Sequence, residues 1–547
     1  MCGILGVRRS FLDDPLRFAA GLAALGWRGP DGQGQVVAGA WRIGVARLAI
    51  SDPRHGQPLW SADRSRLIAF NGAVTSAEEE RRGLPAGALR TGNDAELVLQ
   101  RLARGGEDAL LDTSGHFALA ILEPATDRLW LARDPFGEKP LFVVHRGGEL
   151  VAFASSVASL QQLGIEFELS TADTARLLRF GFALAPKPRH DRLELIGWPS
   201  GARRYAAGRL DGQWSARARD PGHGDLATRV VAAARRCATV GVPGALSLSG
   251  GLDSSCLAVA LVRAGTPLPA YQARAQGDDG DERWRATAVA EHCGIPLRSV
   301  DIGPEVLRAL PALTRHSGMP LIDLSVLAVH AVARQAAGDG IRVLLSGEGA
   351  DELFVGYRRH RAAHWLGRLR RMRGSDRSGR GLSRSGVARL WRAARCAAPY
   401  ESLLEVAPPE FRRVVFEPPW AIGTLPLDPA PNLLAQARDT DRAFYLPHDL
   451  LPKLDIAAMA AGVESRCPFL DPAVVHSPEA NADPRRALGK RALRNAFRAD
   501  LPDAVLRGRK RGFALPLDRW LRHDDWLPDL LSAERTRQRP HLRRDGL

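Results

Sequence analysis

At 547 residues the chain is longer than one hydrophobic core supports, so two or three domains are expected. An apolar share of 45% and a charged share of 25% are ordinary for a globular enzyme, and no run reaches the roughly 18 apolar residues of a membrane span. The first residues form no leader, so a cytoplasmic protein is the expectation. A net charge of +15 raises a nucleic-acid reading, but the excess is concentrated between Arg358 and Arg395 and in the tail Arg535–Arg544. Few aromatics are interleaved there for base stacking, which favours solvated basic surface over nucleic-acid binding.

Short apolar runs at Trp41–Ile50, Leu67–Phe70, His116–Leu122, Arg128–Ala132 and Leu150–Ala154 are separated by Gly, Asp and Pro. They predict the strands of a layered β-structure. Between Leu195 and Gly224 the sequence becomes polar and rich in Gly, Arg and Pro, which reads as a linker. A helical pattern over Asp225–Val240 follows, then the apolar run Ala245–Leu248, a glycine turn and a helix from Ser254. Strand–turn–helix alternation continues through Tyr271, Ala286–Cys293, Val326–Gln335 and Val343–Leu345, the rhythm of a parallel sheet covered by helices. Beyond Arg358 the pattern is mainly helical, with a Gly/Ser/Arg-rich loop at Gly374–Ser385.

Six cysteines without CxxC spacing indicate neither a zinc site nor a disulfide framework. Five read as small buried hydrophobes; Cys2 differs by position. Met1 precedes a small residue, so aminopeptidase removal is expected to leave Cys2 as the first residue. Its free amine, with a pKa near ~7.7–8.0, could then serve as base for its own thiol. In the second half, Leu248-Ser249-Gly250-Gly251-Leu252-Asp253-Ser254-Ser255 follows an apolar run and opens a helix. Glycines admit a phosphate close to the backbone, serines add donors and the helix N-terminus supplies free N–H groups, so the run reads as a pyrophosphate cradle distinct from a Walker loop. Leu345-Ser346-Gly347-Glu348-Gly349-Ala350-Asp351 follows another strand, and Asp253 with Asp351 supplies hard oxygen donors suited to Mg²⁺ beside polyphosphate.

In chain order, Trp27-Arg28-Gly29-Pro30-Asp31, Arg47-Leu48-Ala49-Ile50, Gly56-Gln57-Pro58-Leu59, Asn71-Gly72, Thr91-Gly92-Asn93-Asp94-Ala95-Glu96 and Arg133–Leu141 resemble the glutaminase domain of class II glutamine amidotransferases. The resemblance implies an N-terminal nucleophile hydrolase domain of layered αββα form over residues 1–205, with Cys2 as nucleophile. It implies that Arg47 clamps the glutamine α-carboxylate, that Asp94 pairs with its α-ammonium, and that Asn71 and the Gly72 amide form the oxyanion hole. Three positions depart from the family: Trp27 stands where it has His, Ala73 where it has Glu, and Ser156 where Glu is common. The missing Glu at Ala73 implies weaker glutamine binding, or a greater share of free ammonia as nitrogen source.

The cradle Ser249–Ser255, together with Ser346–Phe354, Lys453-Leu454-Asp455-Ile456, Met459–Asp471, Lys490–Arg494 and Arg509–Phe513, resembles the synthetase domain of glutamine-dependent asparagine synthetases. This implies an α/β parallel-sheet ATP-pyrophosphatase domain with a helical C-terminal part over residues 206–547. ATP would be held by Leu248 through Ser255 with Ser346 and Gly347, and Mg²⁺ by Asp253 and Asp351. Lys490 would stabilise charge on the phosphates, and Glu348 would align the acceptor or take ammonia's proton. The implied reaction joins ammonia from glutamine to a β-aspartyl-adenylate, with small-molecule partners and a homodimer as the usual assembly. Two rivals stand beside it. The same machinery could amidate another carboxylate (a sugar acid, a secondary metabolite, or a peptide closing a ring), or the fold could serve as an RNA-associated binding module, suggested only by charge.

Overall fold

The computed structural model describes residues 2–182, 187–188, 193–197, 201–215, 224–239, 241–277, 283–372, 390, 393–396, 398–407, 425, 430–508 and 515–521. The arginine-rich stretch 373–389, Arg509–Phe513 and the tail lie outside them.

The first half is built from β1 (Cys2–Arg8), β2 (Gly32–Ala38), β3 (Trp41–Arg47), β4 (Leu59–Trp60), β5 (Leu67–Val74), β6 (Gly115–Glu123), β7 (Arg128–Arg133), β8 (Phe142–Arg146) and β9 (Glu149–Ala154). Two short strands, β10 (Phe167–Glu168) and β11 (Lys187–Pro188), pair with each other, and β12 (Leu193–Gly197), β13 (Gly201–Ala206) and β14 (Arg209–Trp214) complete the set. Two six-stranded antiparallel sheets result, ordered β12-β8-β9-β1-β3-β2 and β14-β13-β7-β6-β5-β4. Alternation along β1 shows how they stack: Cys2 and Ile4 face the space between the sheets with Val45, Ala69 and Leu131. Leu5 and Val7 face helices Pro15–Ala23 and Val157–Gln162. On the far side Phe70 and Leu119 meet helix Asp94–Leu111. The four layers run helix, sheet, sheet, helix. Because both faces of β1 are buried, its sequence is a continuous apolar run rather than an alternating one.

The linker expected from Leu195 to Gly224 is a correction. As far as Trp214 it carries the end of β12 and all of β13 and β14, and Ala202 and Tyr205 of β13 are buried. The polar composition that suggested a linker belongs to an edge strand, β14, which faces mostly solvent. The hairpin Ala206–Arg209 carries the second sheet past residue 205, and the next helix begins at Leu226 with Asp225 as its cap.

In the second half β15 (Gly244–Ser247), β16 (Ala270–Ala275), β17 (Leu297–Ile302), β18 (Val343–Leu345) and β19 (Glu464–Arg466) form one parallel sheet, ordered β17-β16-β15-β18-β19. Helices Leu226–Ala238, Leu252–Arg263 and Arg283–Cys293 pack on one face. Helix Ser325–Gly338 packs on the other through Val332 and Ala336. A π-helix, Asp441–Leu450, contains Pro447 and runs into helix Leu451–Met459. Among the described residues no helix is long and apolar enough to cross a membrane.

Candidate active sites

Cys2 opens β1 and is buried, with its backbone nitrogen donating to Asn71 Oδ1 at 2.9 Å. Asn71 sits opposite on β5, also buried, and its Nδ2 has no hydrogen-bond partner among the described residues. A buried donor without an acceptor costs about 1–3 kcal/mol, so this amide is poised for an anionic oxygen. The next residue, Gly72, has φ +139°, and a Cβ there would lie 2.0 Å from the His116 carbonyl oxygen; glycine is required. Gln57 points its Nε2 at Cys2 Sγ, 3.9 Å away, while its Oε1 accepts from the Phe70 amide. Burial pushes the Cys2 thiol up, opposed by the positive amino terminus, a hydrogen bond at Leu48 and the charge of Arg47.

Arg47 ends β3, and its guanidinium donates to the carbonyls of Asp52 and Pro53. Asp94, buried at the start of helix Asp94–Leu111, accepts from the Val74 amide at 3.0 Å and pairs with Arg81 at 3.0 Å. Burial pushes its carboxyl up, against the pull of Val74 and Arg81. The structure therefore brings Cys2, Asn71 and Gly72 together, and it gives Asp94 a cation of its own. Sequence reading missed Gln57 and Arg81; the Gly56–Leu59 motif had pointed to the first without a role.

The second site is a cleft of about 1910 Å³ at the carboxyl end of the parallel sheet, where ligands of such sheets collect. After β15 the chain turns at Gly250, φ +73°, where a Cβ would lie 2.6 Å from the Ala286 nitrogen. Ser249 N donates to Ser254 Oγ, and Ser255 Oγ donates to the Gly251 carbonyl at 2.7 Å, which curls the loop over the start of helix Leu252–Arg263. Gly251, the helix cap, gives no side-chain capping bond, so the N-terminus opens into the cleft lined by Leu248 through Ser254, Ser346 and Gly347. Ser255 is fully buried behind the loop and does not line the cleft.

Lys490, the most informative side chain here, is buried and bridges both predicted metal ligands: its Nζ bonds Asp253 Oδ2 and stands 2.8 Å from Asp351 Oδ1. The two carboxylates hold the ammonium firmly charged, against the opposing effect of burial. They already converge on a cation, so the donor set fits a divalent ion completed by phosphate oxygens. Gly356 keeps the space open: a Cβ there would lie 1.9 Å from Asp351 Oδ1 and 2.1 Å from Lys490 Cε.

Glu348 lines the cleft, with its carboxyl pushed up by burial and pulled back by Lys453. Lys453, on helix Leu451–Met459, donates to Asp323 Oδ2 at 2.9 Å. Asp449 of the π-helix has a carboxyl pushed up to about 7, chiefly by burial. Tyr357 lines the cleft and donates a short hydrogen bond to wholly buried Glu352, whose carboxyl is pushed up to about 8, chiefly by burial and then by Asp351 and Glu348. Asp323, Asp449, Tyr357 and Glu352 escaped sequence reading because each gains meaning only from its neighbours across the fold.

Two sites stand on one chain, a buried Cys2 facing Asn71 in a layered αββα fold and a glycine–serine loop opening into a cleft at the end of a parallel sheet, the arrangement of a glutamine-dependent, ATP-using ligase. Residues 225–547 match the asparagine synthase family model, and residues 1–202 match the glutamine amidotransferase domain. The chain belongs to the asparagine synthase family. It is 27% identical to asparagine synthetase (glutamine-hydrolyzing) 1 of Bacillus subtilis, over 98% of this chain and 90% of that one. It is 29% identical to a Mycobacterium bovis protein provisionally named asparagine synthetase (glutamine-hydrolyzing), over 94% of this chain and 86% of that one. A solved glutamine phosphoribosylpyrophosphate amidotransferase of Bacillus subtilis aligns with 63% of this chain and 81% of its own, at 14% identity and a TM-score of 0.30.

Proposed function

We propose that the protein is a glutamine-hydrolysing asparagine synthetase, converting aspartate, ATP and glutamine to asparagine, glutamate, AMP and pyrophosphate. The observation that carries this reading is Lys490 held between Asp253 and Asp351 beside the glycine–serine cradle. In the first pocket the Cys2 thiol gives its proton to its own amine, and sulfur attacks the glutamine amide carbon. Asn71 Nδ2 and the Gly72 amide receive the negative oxygen, a contribution of roughly 10²–10³ in rate per donor. The ammonium so formed returns that proton to the amide nitrogen, the C–N bond breaks and ammonia leaves, and water, deprotonated by the same amine, then releases glutamate from the thioester. Arg47 is the carboxylate clamp of this reading. Asp94, already paired with Arg81, meets the substrate ammonium as one half of an ion pair.

In the cleft the Ser249–Ser254 loop and its helix N-terminus cradle the phosphates, with Leu248, Ser346 and Gly347 around the adenosine. Asp253 and Asp351 would hold Mg²⁺, which neutralises polyphosphate charge. The acceptor carboxylate oxygen attacks the α-phosphorus and pyrophosphate leaves; Lys490 moves from the carboxylates toward the phosphates as their charge grows. Ammonia attacks the acyl carbon, AMP departs with the bonding pair, and Glu348 takes the proton. Water competes for the adenylate, so an ammonia route within the protein favours amide over hydrolysis. The small-molecule substrates and a homodimeric assembly complete this reading.

A second reading changes only the acceptor. It is motivated by Trp27, Ala73 and Ser156, which stand where the family pattern has other residues. Purified protein given ATP, Mg²⁺, aspartate and either glutamine or ammonium separates the two. Asparagine by mass spectrometry supports the first reading. Pyrophosphate release with other acids and none with aspartate supports the second.

A further inference from the structure

Two of the three departures from the family pattern meet at one turn of the other domain. Trp27 stacks on His316, ring centroids 5.1 Å apart and planes within 7°. Ser156, which caps helix Val157–Gln162, donates its hydroxyl to the His316 carbonyl at 2.8 Å. Positions 129 residues apart in sequence thus grip the end of helix Leu310–Ser317. Just beyond it Gly318, φ +71°, lies so close to Ala158 that a Cβ would come within 2.3 Å of the Ala158 nitrogen. The chain then runs to Ile322, Asp323 and Leu324 on the wall of the cleft.

The neighbour of Trp27 grips the other side of the same wall. Arg28 Nε donates to the Cys2 carbonyl at 3.2 Å, and its two terminal nitrogens donate to Asp455 at 2.7 and 3.0 Å. Asp455 lies two residues after Lys453 on helix Leu451–Met459, and Lys453 pairs with Asp323. A closed circuit results. It leaves Cys2 through Arg28, passes Asp455, Lys453 and Asp323, and returns through His316 to Trp27, the residue beside Arg28.

We propose that Trp27 and Arg28 are positioning residues that tie the reactivity of Cys2 to the Lys453–Asp323 ion pair in the synthetase cleft. A ligand that displaces Lys453 from Asp323 shifts both segments gripped by this dipeptide, and the Cys2 carbonyl moves with Arg28. Where that shift changes glutamine affinity as well as thiol reactivity, linkage requires bound glutamine to bias the same ion pair in return. The inference rests on Cys2 as the glutaminase nucleophile and is independent of which acid is amidated.

The test is the rate at which a diazoketone analogue of glutamine alkylates Cys2, followed by mass spectrometry, with no ATP or acceptor present. Asp323→Asn is isosteric and keeps an oxygen for the Ser325 amide, yet removes the charge facing Lys453. It is expected to change the labelling rate about 5-fold, although it lies in the other pocket, since coupling between sites is typically of that order or larger. Trp27→Phe, which shortens the stack while keeping an aromatic ring, is expected to do the same. The double variant should differ little from either single one, because both cut the same circuit. Asp471→Asn removes an ion pair with Arg236 outside the circuit and should leave labelling unchanged. Wild-type labelling in Asp323→Asn, multiplying effects in the double variant, or an equal change in Asp471→Asn overturns the proposal. No labelling of the wild type removes the nucleophile and the proposal with it, whereas failure of the asparagine reading appears separately, as absent asparagine.

Discussion

Arg28 and Asp455, 427 residues apart, join the two halves of the chain through paired hydrogen bonds of 2.7 and 3.0 Å, with side chains only 1% and 2% exposed. An ion pair so buried gains little over apolar groups, but losing one partner strands the other. Asp455→Leu alone is expected to lower unfolding free energy by about 3–5 kcal/mol, and Arg28→Met with Asp455→Leu to recover part of it, because buried Lys139, 3.9 Å from Asp455, still loses its carboxylate. Denaturant unfolding of the three proteins checks this.

Lys490→Met removes the cation between Asp253 and Asp351. Pyrophosphate release is expected to fall about 10²–10³-fold, the cost of losing one preorganised charge stabiliser. Glutamate release at Cys2 should persist, so parallel assays of the two products separate a local loss from a folding defect.

Gly72→Ala places a methyl 2.0 Å from the His116 carbonyl oxygen at φ +139°. The strand must shift at the oxyanion site, and glutamine-driven turnover should be lost. Ammonium-driven turnover, measured in the same preparation, should remain within a few-fold of the wild type if the damage stays local.

Glu352 predicts a pH effect on stability. Its carboxyl is pushed from the ordinary 4.5 up to about 8, so over that interval the folded state binds more protons than the unfolded state. Stability contributed at this site therefore falls as pH rises from about 4.5 to about 8. Glu352→Gln keeps an acceptor for the Tyr357 hydroxyl and removes the titration. Thermal melts across that interval should show a shallower decline for the variant, with its advantage growing toward pH 8.

Much of this could be read before the fold was known. The cradle lies between β15 and its helix as the Leu248–Ser255 run predicted, and the apolar runs at Trp41, Leu67, His116, Arg128 and Leu150 are strands. Local chemistry carries such signals: glycine at a close approach, serine at a helix start, apolar residues with a period. What escaped is what only tertiary packing defines. Glu464-Ser465-Arg466 shows no strand signal, yet it is β19, because His116 and Lys139 from the other half meet its buried polar groups. Pro447 argues against a helix, yet it lies within a π-helix that brings Tyr445 and Asp449 to the cleft. Asp94 resembles a free substrate carboxylate until Arg81 is seen beside it. Trp27 and Ser156 look like unrelated departures until His316 joins them.

In the proposed reaction, nitrogen freed at Cys2 is joined to an acid activated in the Lys490 cleft. This transfer is tested most directly by supplying amide-labelled glutamine, aspartate, ATP and Mg²⁺, with unlabelled ammonium in excess, and weighing the asparagine formed. Labelled asparagine is expected from the wild type and only unlabelled asparagine from Cys2→Ala, with pyrophosphate released in both. Labelled product from Cys2→Ala, or no pyrophosphate from either protein with any acid supplied, would contradict it.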